Sequence, residues 1–231
     1  MRTTSKTVWA VIPLLLGLTL PTDALGQDEA EMAPEADGRS PALTHIHHVS
    51  VTFRGTPEER GLLPTAVAEA EIAAQHASLA TRTPEDLEAM QRHAGHVLHA
   101  LDPSEVESGP GLGYGAIYAA ERTAHYISLA ARSAGATPPI ETHAEHIETS
   151  ARNAAVNGTA AAELAQEILD AEEAQVAAEL LQELVERTQA MLEGVDADGD
   201  GRIGWQEGEG GLAQATTHLG LLRRAAGLEG P

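Results

Sequence analysis

No cysteine occurs anywhere in the 231-residue chain. Disulfides and cysteine-linked lipid anchors are thereby excluded, as are covalent c-type haem, iron–sulfur clusters and blue-copper centres. Aromatic residues make up only 3%, with a single phenylalanine. A core so poor in large rings must be filled by Ala, Leu, Val and Ile. The abundance of alanine favours close-packed helices over a β-sandwich. Lysine is almost missing too: Lys6 is the only one, and every other basic residue is arginine. One long apolar run exists, Val8–Leu20, and it is too short to span a bilayer comfortably.

That run has the flanks of an export signal. Arg2 and Lys6 precede it, Pro21 and Asp23 follow, and Ala24-Leu25-Gly26 offers small residues at −3 and −1 of a cleavage site. Residues 1–26 are read as a signal peptide, which makes the mature protein periplasmic or secreted, with no membrane anchor after cleavage. Its loss takes basic residues from 14 to 12 and acidic ones from 35 to 34, for a formal charge of −22. A surface this acidic repels nucleic acid and anionic membranes and suits cations.

Residues 27–44 are acidic and carry two prolines, the composition of a flexible leader. In His45–Phe53, Val49, Val51 and Phe53 alternate with polar residues, which predicts an extended strap. Helix signals dominate beyond it. A helix is expected over 65–80. A second starts at Thr83-Pro84-Glu85-Asp86 and stops at Asp102-Pro103, and a third covers about 116–133. A fourth, from about Ile140 to Val156, is expected to close at Asn157-Gly158. Two acidic helices near 159–169 and 171–194 follow. The expected fold class is all-α: a histidine-rich bundle of about four helices over 45–158, then a helical region over 159–231.

The last region contains Asp196-Ala-Asp198-Gly-Asp200-Gly201-Arg202-Ile203-Gly204-Trp205-Gln-Glu207. Oxygen donors fall at positions 1, 3, 5 and 12 and a glycine at position 6. This is what a hard cation with six to eight oxygen ligands requires. The segment resembles the EF-hand calcium-binding loop, in a single copy. The resemblance implies calcium held by Asp196, Asp198, Asp200, the Arg202 carbonyl and both oxygens of Glu207, between an entering helix and one leaving near Trp205. Because such hands ordinarily pair, a lone one also implies a homodimer, support from the preceding bundle, or weak binding.

Ten of the 11 histidines lie between His45 and His146, and only His218 lies outside. Residues three apart on a helix share a face, so His93 with His96, His96 with His99, and His143 with His146 can converge. Imidazole is the commonest ligand for zinc, copper, nickel and iron. His93, His96, His125, His143 and His146 form the expected subset for a transition metal or b-type haem, with the His45–His48 segment as an open, weak site. His76, alone in an alanine-rich helix, carries little weight. No His-Glu-x-x-His, Glu-x-x-His or Gly-x-Ser-x-Gly pattern occurs. A metal-binding protein is thus favoured over an enzyme, with a haem redox protein or an open-site metallo-enzyme as alternatives.

Overall fold

Seven α-helices make up the described part of the chain: α1 (Pro41–Ser50), α2 (Leu62–Ala80), α3 (Leu87–Leu101), α4 (Ala116–Arg132), α5 (Pro138–Asp170), α6 (Ala174–Glu193) and α7 (Leu212–Ala225). The structure is a computed structural model that describes residues 38–228. The stretch read as a signal peptide and most of the expected leader lie outside the described residues. Among the described residues there is no strand, only an isolated antiparallel bridge between Thr52 and Arg60. The all-α expectation holds. None of the described helices is long and apolar enough to cross a membrane.

The 33-residue α5 is the spine. It packs against α3, α4, α6 and α7, while α2 packs against α3, α4 and α6, and α1 lies on α4. Along α2, Ala66, Ala70, Ala73, Ala77 and Ala80 are all buried, one small residue at each turn of the inward face. Such a seam lets neighbouring helices approach closely. The larger volume comes from Leu62, Leu63, Met90, Leu98, Leu101, Ile127, Ile140, Ile147 and Ile168, all buried.

Several boundaries differ from the sequence reading. The expected strap is instead helical as far as Ser50, because Pro41 occupies the first turn and the Ser40 side chain accepts from the Leu43 amide. The second expected start moves from Thr83 to Asp86, whose carboxylate accepts from the Ala89 amide. Asn157-Gly158 does not end a helix, since α5 runs straight through it. Gly158 serves close packing here: a Cβ at this position would come within 3.0 Å of Ile117 and of the Met191 sulfur. Downstream of the aspartate loop, α7 begins at Leu212 and not near Trp205. Gly208, Gly210 and Gly211 lie in the intervening turn, where their poor helix propensity delays the start.

The glycine-rich stretch Ser108–Gly115 is a loop, and its anchor is Glu69 of α2. This carboxylate is fully buried and accepts from the amides of Leu112, Tyr114 and Gly115 at 2.9, 2.9 and 3.1 Å. Removing it strands three amide donors at once. Glu69→Ala should lower unfolding free energy by roughly 2–4 kcal/mol, with Glu69→Gln costing less because its amide oxygen still accepts. Urea denaturation checks this, and equal effects from the two variants would count against the anchoring role.

Candidate metal centres

Two groups of three imidazoles converge in this fold, each built the same way. In the first, α3 supplies His93 and His96 from successive turns and α2 supplies His76. The Nδ1 of His76 lies 3.1 Å from that of His93 and 3.3 Å from that of His96. In the second, α5 supplies His143 and His146 and α7 supplies His218. The Nδ1 of His218 lies 3.3 Å from each of the other two. Within each group one ligand nitrogen per residue lies within 4.8 Å of the others. All six residues are half-buried, open on one side to solvent.

Hydrogen bonding among the rings cannot satisfy such a cluster. The central nitrogen, of His76 or His218, has either one proton or one lone pair, and two nitrogens face it. A cation among three lone pairs satisfies all three. A tetrahedral ion about 2.0–2.1 Å from each imidazole nitrogen sets neighbouring nitrogens about 3.3–3.4 Å apart. The observed spacings are close to that edge.

The electrostatics favour the neutral form at five of these positions. Burial lowers the affinity of His76, His93, His96, His146 and His218 for protons below the ordinary histidine value. Positive charge on neighbouring histidines adds to the effect at His76, His93 and His218, and Arg92 adds to it at His93 and His96. Glu145 works in the opposite direction at His146 without overcoming burial. Neutral imidazole is the ligating form, so lone pairs are available at neutral pH.

The second centre is tied to the aspartate loop. Trp205 stacks on His146, with ring centroids 3.8 Å apart and planes inclined by 18°. Two turns further along α5, Asn153 donates to the Gln206 carbonyl at 2.7 Å and accepts from the Gly208 amide at 3.0 Å. The loop therefore lies along α5 and leads into the helix that carries His218.

Within that loop the carboxylates of Asp196, Asp198 and Asp200 bring an oxygen each within 4.8 Å of one another, all exposed. Asp196 accepts from the amides of Gly199 and Gly201, Asp198 from Asp200, and Asp200 from Arg202. Three like charges so close favour a divalent cation. Glu207 is exposed and stands outside this group. Glu209, two residues on, is the buried acid, and it accepts from the Gly204 amide at 2.8 Å. The loop is closed by a bond from the Val195 amide to the Glu209 carbonyl, 2.8 Å long.

Of the five histidines singled out from sequence, four divide between the two centres, and His125 belongs to neither. His76 and His218 complete them, although their lone positions in sequence gave them no weight. The usable signal was the His-x-x-His spacing of each pair, which leaves the third ligand to come from another helix. His99, next in line after His96, is buried and donates from Nδ1 to the Val106 carbonyl at 2.9 Å, a structural role. No protein-family model, curated protein or solved structure matches the chain.

His48, in the wall of α1, titrates furthest from normal. Its burial, and then the charges of His45, His47 and Arg39, lower its pKa to about 4. The unfolded chain takes up this proton near pH 6.5, the folded chain only near 4, so the unfolded state binds more protons in between. Stability of the metal-free chain should therefore fall as pH drops from about 6.5 toward 4, and fall less in His48→Gln. Thermal melts across that window test it; identical slopes in the two chains would contradict it.

Proposed function

We propose that this chain is an exported metal-ion-binding protein. It holds a transition-metal ion at each of the two three-histidine centres and calcium at the Asp196–Glu207 loop. The observation that carries the reading is the convergence of six imidazole nitrogens into two groups of the same construction. Their spacing suits a tetrahedral N-ligated ion, and the absence of thiolate or carboxylate among them selects zinc, copper(II) or nickel. The acidic surface raises the local concentration of cations.

Each centre offers three protein ligands and leaves a fourth vertex open. That pattern also occurs in catalytic zinc sites. A cavity of about 390 Å³ lies beside Leu101, Tyr114 and Glu121 and is lined by none of these histidines. The repetition of one construction at two places fits buffering, delivery or sensing of metal. A b-type haem needs two axial nitrogens about 4 Å apart across a flat macrocycle. The facing Nδ1 atoms of each group stand 3.1–3.3 Å apart, closer than that.

Calcium at the aspartate loop is the counterpart at the exposed end of the molecule. An exported module of this kind binds at roughly 10⁻⁴–10⁻³ M, suited to holding a segment in place more than to signalling. Asp196, Asp198 and Asp200 would supply carboxylate oxygens and Arg202 its carbonyl. Glu207 would have to turn inward to close the shell.

Equilibrium dialysis against zinc in excess calcium should find at least two zinc ions per chain. His93→Ala and His143→Ala should each remove one. In the chain cleaved after Gly26, Trp205 is the single tryptophan, and it reports on the second centre alone. Copper(II) should quench its emission in wild type and in His93→Ala but not in His143→Ala. Asp196→Ala should abolish the calcium heat in titration calorimetry while leaving zinc stoichiometry intact. A wild-type chain that takes up no zinc would overturn the transition-metal reading, and one without calcium heat the calcium reading.

A further inference from the structure

Four His-x-x-His spacings occur in this chain. His93/His96 and His143/His146 belong to the centres described above, and in His96/His99 the Nδ1 of His99 is taken by the Val106 carbonyl. The fourth, His45 and His48, lies on α1. Its rings stand 6.2 Å apart with planes at 73°. The pair in α3 stands at 5.8 Å and 84°, the pair in α5 at 6.2 Å and 81°. The geometry is the same in all three.

The α1 pair differs in having no partner. The Nδ1 atoms of His45 and His48 are both buried and make no hydrogen bond, and His48 is only 7% exposed. In each of the other two pairs, Nδ1 is the atom that meets the histidine of a neighbouring helix. The helix beside α1 is α4, and it carries His125. His45, His48 and His125 all surround one ring, that of Tyr126, at centroid distances of 5.8, 5.6 and 5.3 Å. The charge of His125 also reaches His45 and lowers its proton affinity, after the larger effect of burial.

We infer that the face between α1 and α4 carries a third transition-metal site, formed by His45, His48 and His125. The inference rests on the reading of the other two centres as metal sites. It gives the α1 pair one ligand from an adjacent helix, the construction of the other two centres. The ion is of the same class, an imidazole-seeking divalent cation such as zinc or copper(II). This site is less fully assembled than the other two. His125 is exposed, and its nitrogens do not fall within the same short distance of the pair. Two unpartnered nitrogens are set in the helix wall, and the third ligand closes from the solvent side when the ion arrives. Such a site should bind more weakly and exchange faster than the two assembled ones.

The test uses the full chain carrying His93→Ala and His143→Ala, which disable the two assembled centres at half-buried positions, with histidine-selective ¹⁵N labelling and calcium in excess. Zinc addition should shift the imidazole nitrogen resonances of His45, His48 and His125, and dialysis should find one zinc per chain. Adding His125→Ala should weaken that binding at least tenfold, and adding His45→Ala with His125→Ala should abolish it. The inference is overturned if the double variant binds no zinc, or binds it with shifts confined to other histidines, while the wild type holds two. If instead the wild type binds a single zinc with shifts at His45, His48 and His125, this site stands and the reading of the other two centres fails.

Discussion

Everything distinctive about this bundle depends on how closely its helices approach. An imidazole reaches only a short way from the backbone. Rings from different helices can therefore share an ion only where the axes run near the lower end of the usual 8–10 Å separation. The buried residues beside the histidines make that possible. Ala73 and Ala77 flank His76, and Ala94 and Val97 lie next to His93 and His96. At the second centre Ala144 and Ile147 adjoin the α5 pair, while Ala215 and Leu219 bracket His218. The scarcity of aromatics thus has a consequence for function, since large rings in these seams would hold the helices apart.

Close approach sets the positions, and electrostatics sets the state. Three imidazoles in one place resist being charged together, because each positive ring repels the next. On the metal-binding reading, the strongly acidic surface would draw in the ions that neutral nitrogens hold, and the aspartate loop would extend the same logic to a harder cation. Its attachment to α5 through Trp205 and Asn153 places the two kinds of site on one rigid element. Whatever orders the loop also bears on His146 and, through α7, on His218.

The fold class was legible in the sequence because alanine abundance and apolar periodicity are local signals. Helix ends were less so. Gly158 reads as a stop until the Met191 and Ile117 side chains against it are seen, and Pro41 reads as leader until Ser40 caps the helix it begins. The candidate metal centres were half legible. His93 with His96 and His143 with His146 declare themselves by spacing, which is a property of one helix. His76 and His218 were invisible because their partners lie 17 and 72 or more residues away, brought near by packing alone. His125 drew attention by its place in a histidine-rich region, yet it points to a less assembled face. The loop aspartates were plain, whereas the buried Glu209 was not, because nothing in its immediate sequence marks it as the residue that closes the loop.

Zinc K-edge X-ray absorption on the chain loaded with two equivalents of zinc tests the central claim most directly. Three imidazole nitrogens and one light atom at about 2.0 Å, with the multiple scattering of intact rings, is the expected shell. A shell of six oxygens without imidazole scattering would contradict it, and would return the histidines to a purely structural role.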